Sequence, residues 1–228
     1  MKKLISLSLV ALMLLPLAAC GIGGGGRGGA SGGNFKYDDD FVKTNMPAEY
    51  LLTYKTTNYE NGQPKPSSYA TTIKTANGYY YESGDEDGYN SGSLYILHDG
   101  KYVQYSGTKE EGFTKPSEEE MQWTYQWEPD QIELMAGSGI LSYMTYYSTF
   151  AELMKPDGTE TIAGRKCDKF KASIGLFGVG VQYAYSVDQQ TGVCLRFGFA
   201  ATTPEDSGAL TFECTEFQLT GVSLPSYS

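Results

Sequence analysis

Val179-Gly180-Val181-Gln182-Tyr183-Ala184-Tyr185-Ser186-Val187-Asp188-Gln189-Gln190-Thr191-Gly192-Val193-Cys194-Leu195-Arg196-Phe197-Gly198-Phe199-Ala200-Ala201 reads as two strands joined by a turn. Val181, Tyr183, Tyr185 and Val187 alternate with Gln182, Ala184 and Ser186. Leu195, Phe197 and Phe199 alternate with Arg196 and Gly198. A period of two puts each set on one face of its strand, as in antiparallel sheets with one face buried. The polar, glycine-ended run Asp188 to Gly192 supplies the turn.

The same pattern continues on both sides. Downstream, Pro204-Glu205-Asp206-Ser207-Gly208 predicts a turn into a strand near Ala209–Thr220. Upstream, a strand is expected near Glu160–Ser173, with a turn within Gly175–Gly180. Earlier still, strands are expected at Glu49–Tyr59, Ser68–Thr75, from Tyr79, at Leu94–Leu97 and at Tyr102–Tyr105. Asn61-Gly62, Asn77-Gly78 and His98-Asp99-Gly100-Lys101 are the hairpin signals between them. Trp123, Tyr125 and Trp127 alternate as on a further strand, where core packing, a ligand-cavity lining and a sugar-stacking platform are all open readings. Ile132, Met135, Ile140, Tyr143, Met144, Tyr147, Phe150 and Met154 recur at helical spacing. Gly137-Ser138-Gly139 divides that helix, and Pro156-Asp157-Gly158 ends it. The expected architecture is mainly β (α+β): two antiparallel meanders and one interrupted helix, with the helix covering the concave face of a curved sheet. A β-sandwich is the alternative.

The N-terminus reads as an address. Lys2 and Lys3 precede the almost wholly apolar Leu4–Ala19. These residues would make ~24 Å of helix, short for a hydrocarbon core of ~30 Å. The run ends in Leu17-Ala18-Ala19-Cys20, which resembles the lipobox of bacterial lipoproteins. That resemblance implies cleavage before Cys20 and acylation of its thiol, with two or three chains giving stable membrane anchoring. Residues 1–19 are thus a signal peptide, and 20–34 are the lipidated cysteine with a Gly-rich tether. Residues 35–228 are one β-rich domain. The tether, Gly21 to Gly33, spans about 20 Å as a flexible coil. Its GxGxxG match follows no strand and opens no helix, so it is not read as a nucleotide loop. Position 21 is Gly and not Asp, which implies the outer membrane in a diderm organism. In any other organism the expected location is the outer face of the plasma membrane.

Composition excludes some functions. The 228 residues carry a formal charge of −10, which becomes −12 once Lys2 and Lys3 are removed. Such a chain repels nucleic-acid backbones and anionic lipid surfaces. Its single histidine, His98, lies in a predicted turn, and no nucleophile–base pair or metal set accompanies it. Asp85–Asn90 lacks the spacing of a calcium loop. Asp38-Asp39-Asp40 and Glu118-Glu119-Glu120 read as solvated charge runs. The chain is read as a binding protein without a cofactor, and not as an enzyme.

Three segments carry a further resemblance: His98 to Tyr105, Ile162-Ala163-Gly164-Arg165-Lys166-Cys167-Asp168-Lys169-Phe170, and Val187 to Leu195. With the order of elements, they resemble the LolA/LolB-like lipoprotein-localisation family over most of residues 45–220. The resemblance implies an unclosed barrel with a helical lid over a cavity for acyl chains. The family's carriers use an arginine in an early strand, and residues 48–59 contain none. The implied role is therefore lipid or hydrophobic-ligand binding. Trp123, Trp127, Met135, Tyr143, Met144, Tyr147, Tyr183, Tyr185 and Phe197 are the candidate cavity residues. A cell-envelope interaction or structural lipoprotein, using its many tyrosines at a surface and lacking such a cavity, is the alternative. No sequence feature names a protein partner. Among Cys167, Cys194 and Cys214, a Cys194–Cys214 disulfide is favoured over Cys167–Cys194, because those two fall on neighbouring strands. Strand alternation turns Cys194 outward.

Overall fold

The computed structural model describes residues 36–37, 39–88, 90–123, 126–129, 131–132, 154–176, 179–202 and 207–228. The expected signal peptide, lipobox and tether lie outside these residues. So do Tyr125 and nearly all of the expected helix, including Met135, Tyr143, Met144 and Tyr147.

The described residues form a mostly antiparallel sheet with two short helices, and Pro129, Gln131 and Ile132 are also helical. Helix α1 is Asp39–Asn45 and α2 is Glu118–Trp123. The first meander contains β1 (Tyr50–Glu60), β2 (Gln63–Pro64), β3 (Ser68–Thr75), β4 (Gly78–Asp85), β5 (Asn90–His98), β6 (Lys101–Thr108), β7 (Gly112–Thr114) and β8 (Gln126–Trp127). The second contains β9 (Lys155–Ile162), β10 (Arg165–Leu176), β11 (Val179–Asp188), β12 (Cys194–Thr202) and β13 (Ser207–Gln218). Their order across the sheet is β7-β6-β5-β4-β3-β1-β13-β12-β11-β10-β9, with β2 beside β1 and β8 beside β6. The first long strand thus pairs with the last, from Leu51↔Gln218 to Glu60↔Gly208. All strands belong to one hydrogen-bonded sheet, which replaces the alternative sandwich, and its end strands β7 and β9 leave it open.

Several local expectations are corrected. The strand expected at Glu160–Ser173 is two strands, turned by Ala163 and Gly164 at φ 48° and 74°. These values match the other two-residue turns, Asn61-Gly62 and Asp99-Gly100, and suit the right-handed twist of the strands they join. Pro156-Asp157-Gly158 lies inside β9. Trp123 closes α2 and is not on a strand, whereas Trp127 lies on β8. Ser117 starts α2 with a reciprocal cap. Its N–H donates to Glu120 Oε2 at 2.8 Å, and the Glu120 N–H donates to Ser117 Oγ at 3.2 Å. Glu118 to Glu120 therefore form the favourable acidic first turn of a helix. Asp39 and Asp40, from the other charge run, open α1.

The alternation defines two faces. On the back of the first meander, Leu51, Ile73, Tyr80, Leu94 and Tyr105 stand side by side on five successive strands. The C-terminal segment covers them with Val222 and Leu224. It then pairs in parallel with β7, where Phe113 N–H donates to Ser226 O and Ser228 N–H donates to Phe113 O, both at 2.9 Å. The back of the second meander is polar: Arg196 binds Glu213 and Glu160, and Ser186 also binds Glu160. The front face holds most of the remaining core.

Candidate ligand-binding face

On the front of the second meander, Phe170, Tyr185, Phe197 and Phe212 occupy facing positions on four neighbouring strands. Ala172, Tyr183, Phe199 and Leu210 form the next row. The rings of Tyr183, Tyr185, Phe197, Phe199 and Phe212 pack on one another, with centroids 5.0 Å apart for Tyr185–Phe197, 5.4 Å for Tyr183–Phe199 and 5.9 Å for Phe197–Phe212. Such cross-strand aromatic pairs each add a fraction of a kcal/mol to about 1 kcal/mol. Three of the expected cavity residues, Tyr183, Tyr185 and Phe197, are therefore brought together in one buried cluster. Burial decreases along the strands toward the half-buried Val181, Phe199 and Leu210.

Trp127 lies in a different cluster on the first meander. It packs edge-on to Tyr95 at 6.5 Å, with Tyr79, Tyr102 and Ile132 nearby. Ile132 and Met154 flank the undescribed stretch 133–153. Ile132 packs on the front of the first meander and Met154 on the front of the second. A cavity of about 350 Å³ lies elsewhere, at the ends of β12 and β13, lined by Tyr59, Gly62, Ala200 and Ala209 among others. None of the expected cavity residues lines it.

The sequence missed the residues that close the front. Tyr37, Phe41 and Val42 lie over Phe170 and Tyr185, with Tyr37 edge-on to Phe41 at 5.2 Å and to Phe170 at 6.2 Å. Gly192 admits α1, because a Cβ there would stand 2.8 Å from both Phe41 and Val42. Tyr37 Oη donates to Asp168 Oδ2 at 2.5 Å, and Gln189 Nε2 donates to Oδ1 at 2.6 Å. Burial opposes ionisation of Asp168, but these two bonds together with the nearby Lys36 and Lys166 ammonium groups outweigh it and hold the carboxyl below its usual range. A lowered folded pKa stabilises the fold above the ordinary carboxylate range, and this contribution is lost as pH falls through the folded value. Tyr37→Phe should therefore lower the unfolding free energy measured in urea at pH 7 by about 1.5 kcal/mol, the worth of a bond to a charged acceptor. The deficit should shrink at pH 2.5; an equal deficit at both pH values would exclude the Asp168 bond as its cause.

The two segments 162–170 and 187–195 meet in space. Arg165 forms a fork with Asp188, Nε to Oδ1 at 3.0 Å and Nη2 to Oδ2 at 2.8 Å. The Arg165 guanidinium also lies 4.9 Å from the centre of the Phe217 ring. The Thr191 N–H and Oγ1 donate to Asp188 Oδ2 at 2.9 and 2.7 Å. The two segments therefore form one folding unit beside the aromatic cluster.

All three described cysteines are buried free thiols, so the expected Cys194–Cys214 bond is not formed in this structure. Instead, Cys194 Sγ donates to Arg196 O at 3.0 Å and Cys214 Sγ to Glu216 O at 3.1 Å, each along its own strand. Cys194 faces inward because the register slips between Ser186 and Val187. Burial pushes the Cys167 and Cys214 thiols up to about 12, and that of Cys194 upward as well. In a Cys20→Ser chain, Ellman's reagent at pH 8 should label none of the three natively and all three in denaturant. A single labelled thiol in denaturant would instead reveal a disulfide. His98 ends β5, with Nε2 2.8 Å from Tyr105 Oη, and among the described residues no cluster of ligands suits a metal.

No protein-family model matches the sequence, and no curated protein is significantly similar to it. Among solved structures, MucB superposes with a TM-score of 0.40 at 10% identity, covering 81% of this chain and 57% of MucB. The Pseudomonas aeruginosa MucA/MucB complex gives a TM-score of 0.36 at 12% identity, covering 78% of this chain and 56% of that one. A LolA superfamily protein from Nitrosomonas europaea gives 0.25 at 6% identity, covering 82% of this chain and 92% of that one. The chain thus spans little more than half the length of the MucB chains. Scores this low do not establish a shared fold, and the site stands on its own geometry.

Proposed function

We propose that this protein is an exported, lipid-anchored binding protein that holds an acyl chain or similar hydrophobic ligand against the front of a LolA-like open sheet. The observation that carries the proposal is the continuous aromatic surface of β10–β13, closed by α1 at one end and half-buried at the other. Aromatic side chains of this kind accept apolar ligands of varied shape without demanding directional partners. Ile132 packs on the front of the first meander and Met154 on the front of the second, and we read the Met- and Tyr-rich stretch between them as the helical lid. Among the described residues, the large apolar side chains more than a third exposed are Leu97 and Tyr227. The tyrosines are thus mainly turned inward, which favours ligand holding over the interaction-surface alternative. The protein binds and does not turn over its ligand. Its anchor is Cys20, at the outer membrane of a diderm cell or the outer face of the plasma membrane otherwise.

Native mass spectrometry of the protein from a bacterial host tests this. The expected spectrum shows a second species heavier by one lipid, which disappears after organic extraction and returns on adding fatty acid. A ligand-free protein that also fails to take up an apolar fluorophore would overturn the proposal.

A further inference from the structure

The front face changes chemistry along the sheet. Across β10–β13 it is aromatic, but across β3–β6 hydroxyl and amide groups enter the rows. Leu52, Thr72, Tyr81 and Ser93 face one another on four strands, and Gln104 Nε2 reaches Ser93 Oγ at 3.5 Å. Thr72 is the deepest of these polar groups, at 1% exposure, and its hydroxyl has no hydrogen-bond partner. Burying an unpaired hydroxyl forfeits its hydration with nothing in return, and native interiors rarely tolerate it. The neighbouring Thr71, on the back, shows the usual solution, with its Oγ1 3.0 Å from Thr53 Oγ1.

Charge narrows what Thr72 would bind. On the front of β3–β6, the basic side chain among the described residues is Lys74, whose ammonium already sits 5.2 Å from the Tyr79 ring centre. The whole protein carries −10. A phosphate or carboxylate head would meet one engaged cation in an acidic protein. An uncharged head bearing hydroxyl or ester oxygens would meet hydroxyls. From Thr72 the same face continues over Leu52, Phe217 and Phe212 to Phe197. β3 and β12 are three strand spacings apart, about 14 Å, within reach of a long acyl chain.

We propose that Thr72 is the polar anchor of the site, holding the uncharged head of a single-chain amphiphile such as a monoacylglycerol. The chain of the amphiphile lies along the aromatic half of the same face. This inference rests on the hydrophobic-ligand reading above and adds the class and orientation of the ligand.

The test uses the full mature chain with monolauroylglycerol, lauroyl-lysophosphatidylglycerol and the hydrocarbon probe diphenylhexatriene. Monolauroylglycerol should bind about tenfold more tightly than the lysophospholipid. Thr72→Val should weaken monolauroylglycerol about tenfold, the worth of one hydrogen bond, and leave diphenylhexatriene binding unchanged. Thr72→Ser should restore most of the loss. The thermal midpoint of Thr72→Val should stay level or rise, since it removes an unpaired hydroxyl; a marked fall would assign the hydroxyl a structural role and overturn the inference. Equal monolauroylglycerol affinity in wild type and Thr72→Val, or tighter binding of the lysophospholipid, would also overturn it while leaving hydrophobic binding intact. If none of the three probes binds, the hydrophobic-ligand reading itself fails.

Discussion

Asp188→Ala should destabilise the domain by about 3–5 kcal/mol, the usual result of removing one partner from a buried ion pair. Asp188 is 1% exposed and accepts four hydrogen bonds, two from Arg165 and two from Thr191. Without it, Arg165 keeps its charge against Phe217 with only Gln190 Oε1, at 2.9 Å, as a further acceptor. The turn 188–192 would also lose the group that fixes it, and Gly192 in that turn is where α1 rests. Since small domains hold only about 5–15 kcal/mol in total, many molecules should be unfolded near 37 °C. Urea unfolding followed by circular dichroism measures the loss. Arg165→Lys, which keeps the charge but not the fork, should cost less. A loss below about 1 kcal/mol for Asp188→Ala would remove the pair from any central role in the fold.

The second large effect concerns the anchor. Cys20→Ser should abolish incorporation of labelled fatty acid and partitioning into the detergent phase, because no other residue of the Leu17-Ala18-Ala19-Cys20 box carries a thiol. A chain beginning at Phe35 should remain soluble with unchanged strand content. It retains Tyr37, whose bond to Asp168 belongs to the domain and not to the tether. Fatty-acid incorporation into the Cys20→Ser protein, or unfolding of the shortened chain, would contradict the assignment.

Strands were legible in the sequence wherever alternation and turn chemistry agreed. Val181 to Val187, Phe197 and Phe199 occupy the faces their spacing demands, and Asn61-Gly62 and Asp99-Gly100 turn as expected. The failures have local causes. Ala163 carries no turn signal of its own, so β9 and β10 look like one strand. Asn77-Gly78 marks a hairpin but not its position: Ala76-Asn77 makes the turn, and Gly78 pairs within β4, where Tyr95 O would lie 2.4 Å from a Cβ. Trp123 and Trp127 alternate convincingly, yet Ser117 and Glu120 already held the capping pattern of a helix. The inward turn of Cys194 depends on a bulge that alternation does not reveal. The site was legible only in part. Tyr183, Tyr185 and Phe197 lie on adjacent strands, but Tyr37 and Thr72 join the front through pairings over long stretches of chain. Local pattern carries no record of such pairings.

The seam between β1 and β13 bears on when this domain folds. It pairs Leu51 with Gln218 and Glu60 with Gly208, so the sheet is incomplete until residue 218 has been made. Chains dominated by such distant contacts fold in milliseconds to seconds, because loop closure precedes the contacts that reward it. An incomplete chain would hold two separate meanders, each exposing one long strand that awaits its partner. Under the export proposed above, that delay would keep the emerging chain pliable enough to thread a translocation pore, and the domain would lock only after its final strand had arrived on the far side.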